Sequence, residues 1–325
     1  RCRFARHDGW HLGASMIRSA ILLASALFVS GALAAPGAKT RPTPAAQPET
    51  WAAPPATAAA FDLARVPASD WRAIDPENTL YMDLPSGRVV IELAPGFAPN
   101  HVANIKALVR SGYFDASAIV REQENYVAQW SAPEGRKITA GKDTLKAEFD
   151  KQIGSEPFVA MPDPDTYAAS VGFSGDFPAA RDPKTRQTWL THCYGMVGAG
   201  RDDDADSGGG KELYAVIGQA PRNLDRNVTL VGRVVEGIEH LSSLPRGTGD
   251  LGFYKTEAEK NPIRRVRVAA DVPAAERTPL EILRTDSPSF VAYVQSRRFR
   301  HEGWYKYSAG HIGVCNITLP VRVKP

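Results

Sequence analysis

Several chemistries are missing from this sequence. Its 325 residues hold 3 cysteines, 4 methionines and 7 histidines. Among His101, His192, His240, His301 and His311 no two stand three to five residues apart, so these five offer no metal-ligand spacing. No Gly-x-Ser-x-Gly elbow supports serine hydrolysis, and no strand-to-helix Gly-x-x-x-x-Gly-Lys loop is present to cradle a nucleotide phosphate. Asp202, Asp204 and Asp206 alternate like calcium ligands, but the sixth residue of that loop is Ser207 rather than glycine and the twelfth is Leu213 rather than glutamate. A solvated acidic loop accounts for the run better. No metal and no cofactor are therefore expected. Charge of one sign is also scarce. The formal net charge is +3, and four Arg against one Asp lie in residues 1–34, so the remainder is neutral. Without a basic stripe, a nucleic-acid partner is not expected. The local excess of +5 from Arg277 onward reads as solvated surface.

Long apolar runs are likewise rare. The one that stands out, Ala20 to Ala32, follows Met16-Ile17-Arg18 and ends in Ala32-Leu33-Ala34. A basic start, a short apolar segment and a small-x-small site describe a secretory signal over 16–34, with residues 1–15 lying upstream of the true start. The alternative, a transmembrane helix, needs roughly 20 apolar residues, more than this run supplies. The mature chain is expected to have no membrane span and to reside in the periplasm as a monomer. Cleavage would leave Cys193 and Cys315 in a compartment that permits disulfides; a bridge and two separate buried thiols both remain open.

What is present begins with a Pro- and Ala-rich linker at 35–70, containing Pro42, Pro44, Pro48, Pro54 and Pro55. From Trp71 the runs Leu80–Leu84 and Arg88–Leu93 flank Pro85-Ser86-Gly87, a connection of hairpin length. Val102, Ile105 and Leu108 then recur at helical spacing between Pro99 and Gly112. Short apolar runs follow as far as Val266-Arg267-Val268. The pattern is mainly β, a closed antiparallel barrel capped by helices over 71–270. It is interrupted by a long insertion at 154–191, where Pro162-Asp163-Pro164, Gly172, Gly175 and Asp182-Pro183 break the periodicity. In the extension 271–325, Thr278-Pro279-Leu280-Glu281 and Ser287-Pro288 predict two short helices.

The central segment is the most specific. Ile119-Val120-Arg121, followed by Tyr126-Val127-Ala128-Gln129, resembles the cyclophilin segment F-H-R-x-x-x-x-F-M-x-Q. Leu224-Asp225 through Gly237 resembles the family's L-D-x-x-x-V-V-F-G-x-V-x-x-G run. Between them, Ala147-Glu148-Phe149 and Gly195-Met196-Val197-Gly198-Ala199-Gly200 resemble the family's G/A-E-F and L-S-M-A-N-A-G elements. Glu212-Leu213-Tyr214-Ala215 falls where Q-F-F-I is common, and Pro99, Val102 and Asn104 match P-x-x-V-x-N. Six strings in order cover about residues 77–270, apart from the insertion.

The resemblance implies a peptidyl-prolyl cis-trans isomerase acting on proline-containing polypeptides. Rotation of an X-Pro bond breaks amide resonance, a barrier of about 18–20 kcal/mol, with no bond cut. A catalyst must bind the twisted state better than either planar isomer, which calls for a donor and an apolar cup. Carried over by position, Arg121 and Gln129 are the catalytic pair. Tyr126, Val127, Tyr214 and Leu224 would form the cup, with Glu212 at its side and Val197 and Gly198 along the substrate backbone. Departures are visible too. Tyr126 and Tyr214 stand where the family has Phe, Gly198 where it has Asn, Glu212 where it has Gln, Asn223 where Trp is common and Val228 where His is common. The competing reading is a non-catalytic peptide-binding module that uses the same groove.

Overall fold

The computed structural model describes residues 60–325; the signal-like segment, residues 1–15 and linker residues 35–59 lie outside the described residues. In chain order the strands are β1 (Trp71–Ala73), β2 (Thr79–Leu84), β3 (Gly87–Leu93), β4 (Ser117–Gln123), β5 (Val127–Ser131), β6 (Lys151–Gln152), β7 (Phe158–Ala160), β8 (Ser170–Ser174) and β9 (Phe177–Asp182). There follow β10 (Gln187–Leu190), β11 (Met196–Ala199), β12 (Glu212–Val216), β13 (Leu230–Glu236), β14 (Asn261–Ile263), β15 (Arg265–Val268), β16 (Leu280–Leu283) and β17 (Val321–Val323). Helices α1 (Pro99–Arg110), α2 (Glu239–Ser242) and α3 (Pro288–Arg298) accompany them.

Nine strands make one antiparallel sheet in the order β14-β4-β5-β12-β11-β13-β3-β2-β15. Its two end strands are separated in sequence by Arg264 alone. The Arg264 N–H donates to the Asp83 carbonyl and its own carbonyl accepts from Ala116, so the chain bends across the gap and the barrel is nearly closed. Period-two alternation decides what fills it. Leu80, Met82, Leu84, Val89, Ile91 and Leu93 point inward. Tyr81 and Val90, on the opposite face, pack with Ile74, Val272, Leu280 and Ile282. Both faces of the first hairpin are thus buried, which is why consecutive residues such as Leu80-Tyr81-Met82 and Val89-Val90-Ile91 are apolar. Helix α1 inserts Val102, Ile105 and Leu108 into the barrel core. Pro99 opens it, and Gly112, with φ of 73°, closes it. There Tyr113 N–H bonds to Leu108 O and Gly112 N–H to Val109 O, a Schellman ending.

Three expectations are corrected. Residues 61–70 do not belong to a linker: Val66 is buried, and the Phe61 ring lies 5.6 Å from that of Tyr293 in α3. Two apolar anchors among small residues gave too little periodicity to be read. The segment after Thr278-Pro279 is strand β16 and not a helix. It pairs with β1 and β17, and Leu280, Ile282 and Leu283 are almost fully buried, so sheet pairing and burial override a local capping pattern. The insertion is regular sheet despite its broken periodicity: β7 to β10, with β6 just before its predicted start, form a five-stranded antiparallel sheet in the order β6-β10-β9-β8-β7. Its β8–β9 hairpin turns through Gly175 and Asp176, both at positive φ, the backbone of a tight two-residue hairpin loop.

Insertion, barrel and extension share a second core that includes Phe173, Trp189, Tyr214, Leu283, Phe290 and Val294. Covalent and ionic ties reinforce it. Cys193, just before β11, is disulfide-bonded to Cys315. Asp163 accepts two hydrogen bonds of 2.8 Å from Arg298 of α3. Asp176 is bonded by Arg72 and by Thr285, while Glu92 bridges Arg72 and Arg233 at 2.7 and 2.8 Å. Among the described residues, no helix is long and apolar enough to cross a membrane.

Candidate active site

The site is a lateral row across four barrel strands. Gln129 of β5 stands opposite Arg121 of β4 on one side and Tyr214 of β12 on the other, and Tyr214 stands opposite Gly198 of β11. Residues paired this way share one face of the sheet. Ala128 and Trp130 belong to the barrel core, so the face carrying Gln129 is the outer one.

A bulge puts Arg121 there. Ile119 opposes Trp130 and points inward, and in a regular strand Arg121, two residues on, would point inward as well. The register slips at Val120, so Arg121 meets Gln129 and its side chain is turned to the outer face. The same slip turns Glu122 inward, where it is 4% exposed and its Oε2 has no hydrogen-bond partner. Burial raises its pKa above the ordinary glutamate range.

The guanidinium is held from several sides. Its NH1 donates to Gln129 Oε1 at 3.2 Å, Nε to the Leu251 carbonyl at 2.7 Å, and NH2 to Gln123. It lies 5.6 Å from the Tyr126 ring centroid and 5.2 Å from that of Phe253. Gln129 Nε2 in turn donates to Glu212 Oε2 at 3.1 Å. A carboxylate only accepts, so Glu212 dictates which end of the Gln129 amide faces Arg121. The family's glutamine at that position would impose no such choice.

Around the row, Val127 and Tyr214 pack into the second core, and Tyr126 and Val228 lie against it partly exposed. Leu224 is partly exposed at the end of the one-turn helix Arg222–Leu224. Of the two residues expected along the substrate backbone, Val197 turns its side chain inward: it is 1% exposed and belongs to the barrel core, since it alternates with Gly198. Sequence reading missed Gln123, Leu251 and Phe253. Gln123 ends the same strand as Arg121, whereas the loop carrying Leu251 and Phe253 returns to Arg121 from 130 residues downstream without a motif to mark it, although the Leu251-Gly252 pair at positive φ is the local signature of its tight turn. His192, considered above only as a metal ligand, lies fully buried against Tyr214 with its Nε2 3.0 Å from the hydroxyl.

A nearly closed antiparallel barrel with a braced guanidinium beside aromatic rings on its outer face is a cyclophilin-like barrel. The family model described as cyclophilin type peptidyl-prolyl cis-trans isomerase/CLD matches residues 79–270, more than half of the chain. The chain belongs to this family, and as such is a peptidyl-prolyl isomerase. Proteins of Brucella suis and Brucella abortus, each named probable peptidyl-prolyl cis-trans isomerase, are 28% identical over 205 residues, covering 61% of this chain and 85% of theirs. The crystal structure of cyclophilin AquaCyp293 from Hirschia baltica superposes with a TM-score of 0.63 at 26% identity, covering 78% of this chain and 94% of that one.

Proposed function

We propose that this isomerase acts on X-Pro bonds of exported polypeptides, with Arg121 stabilising the twisted amide while the ring sits in a cup made by Tyr126, Val127, Tyr214 and Leu224. The single observation carrying this reading is the lateral row: the Arg121 guanidinium is braced by Gln129 and lies beside the Tyr126 ring. As the C–N bond turns, conjugation is lost and a lone pair develops on the prolyl nitrogen. A fixed guanidinium fork donates to that nitrogen, an interaction absent from the planar isomers. Its bonds to Gln129, Gln123 and Leu251 are made in advance, so little reorganisation is needed at the transition state. No covalent intermediate, metal or cofactor enters the scheme.

Export is supported by the signal-like segment at 16–34 and by the Cys193–Cys315 disulfide, which suits an oxidising compartment such as the periplasm. The test is a proline-isomerisation assay on residues 35–325 beside Arg121→Ala. We expect kcat/KM of the variant to fall by about 10²–10³ with the fold intact. Equal rates for the two proteins would refute the role of Arg121. Cell fractionation showing the chain in the cytoplasm would refute the location.

A further inference from the structure

A buried polar chain runs from the insertion to the proline cup. The Tyr214 hydroxyl meets His192 Nε2 at 3.0 Å, and the two rings lie nearly parallel, with 15° between their planes. His192 Nδ1 and its backbone N–H both bond to Asp225 Oδ1, at 3.0 and 2.9 Å. Asp225 Oδ2 accepts from Arg222 Nε at 2.6 Å. The other two nitrogens of Arg222 form a fork on Asp165 of the insertion, at 2.9 and 3.1 Å. Asp165 Oδ1 also accepts from the backbone N–H groups of Tyr167 and Ala168, which anchors it to its own loop.

Two facts give this chain a purpose beyond cohesion. The first is where it ends. Tyr214 lies in the lateral row between Gln129 and Gly198, and Leu224 is carried between Arg222 and Asp225 on the same short turn. Two of the four residues assigned to the cup, Tyr214 and Leu224, are therefore tied to the network. The second is its cost. Tyr214, His192 and Arg222 are 6%, 0% and 5% exposed, and withdrawing such groups from water brings little net stability even when every partner is present. What a fully satisfied buried network supplies is a unique position. A phenylalanine at 214 would keep the ring without fixing it. The tyrosine hydroxyl, donated to a histidine whose Nδ1 hydrogen is directed at Asp225, fixes the ring's tilt.

We propose that His192 is a positioning residue that sets the shape of the proline cup through Tyr214, and that Asp165, acting through Arg222 and Asp225, makes the insertion a specificity-determining part of the isomerase. The proposal rests on the isomerase reading above. Prolyl substrates are then selected by a cup in which Tyr214 and Leu224 are held by the insertion, and the preference among residues next to proline depends on Asp165, which lies in no cyclophilin-like string of this sequence.

The experiment compares His192→Phe, Tyr214→Phe, the double variant and Asp165→Asn in the full mature chain. Isomerisation is measured on a peptide series Ala-Xaa-Pro-Phe, and ¹⁵N NMR follows the His192 ring. His192→Phe leaves the tyrosine hydroxyl unpartnered, and we expect kcat/KM to fall about tenfold, mainly through KM. Tyr214→Phe should cost a similar factor, and the double variant no more than either single one, a non-additivity that a general loss of stability would not show. Asp165→Asn should alter the ranking of Xaa by about threefold or more while the melting profile stays cooperative. Additive effects in the double variant, or an unchanged ranking in Asp165→Asn, would overturn the proposal. The NMR arm is independent of turnover. Loss of the Tyr214 hydroxyl must move the Nε2 resonance of His192, and an unmoved resonance overturns the network whatever the activity. A wild-type protein inactive on the whole series, with that resonance moving as expected, would instead sink the isomerase reading.

Discussion

The hydroxyl end of Tyr214 lies in the space that a side chain on Gly198 would occupy. A Cβ built on Gly198 would sit 2.3 Å from Tyr214 Cζ and 2.4 Å from its hydroxyl oxygen. The position of the Tyr214 ring and hydroxyl thus depends on the absence of a side chain at 198. The bare backbone at 198 admits the tyrosine tip, and His192 then holds it.

Gly198→Ala tests that dependence. Because Tyr214 is held by His192 and packed in the second core, it cannot swing aside freely. We expect a loss of about 1–3 kcal/mol in urea unfolding and a parallel loss of isomerase activity. Shortening the neighbour as well, in Gly198→Ala with Tyr214→Ala, should remove the clash, so the two effects on stability should add up to more than the double variant shows.

Glu122 predicts a pH dependence of stability. Its folded pKa is raised by burial, so between about 4.3, the ordinary glutamate value, and that raised value the folded state holds a proton that the unfolded chain has released. Stability from this group is thus greatest at low pH and is lost as pH rises through that window. Glu122→Gln should be more stable than the parent at pH 8 and should flatten this part of the profile. A thermal denaturation series from pH 4 to pH 8 reads it, and a variant less stable at pH 8 would contradict the assignment.

The Cys193–Cys315 bond closes a sequence separation of 122 residues. In the chain-entropy description a loop of that length is worth about 4–5 kcal/mol. Replacing both cysteines by serine should lower the urea midpoint accordingly, and unfolding of the parent with and without reductant should reproduce the difference.

The buried fork of Arg298 on Asp163 joins α3 to the insertion, with side chains 3% and 7% exposed. Asp163→Ala strands a buried guanidinium and should cost about 3–5 kcal/mol. Asp163→Leu combined with Arg298→Met removes both charges and should recover much of the loss, measured by chemical denaturation.

Much of this protein was determined by sequence alone. The spacing of Arg121, Tyr126 and Gln129 is local to one hairpin, so it reads directly as a constellation, and the apolar-rich runs of β2 and β3 around Pro85-Ser86-Gly87 announce a hairpin. The helix between Pro99 and Gly112 carries its own start and stop signals. Other features needed the tertiary structure, because they depend on which segments meet. That β16 is a strand follows from β1 and β17 being available to pair with it. The face of β4 that carries Arg121 is decided by a one-residue slip at Val120, invisible to any count of spacing. The loop that brings Leu251 and Phe253 to the guanidinium, and the route from Asp165 to Tyr214, join residues tens to more than a hundred positions apart. Hydrogen bonds between such residues leave no periodicity in the chain; they exist only once the barrel, the insertion and the extension have packed.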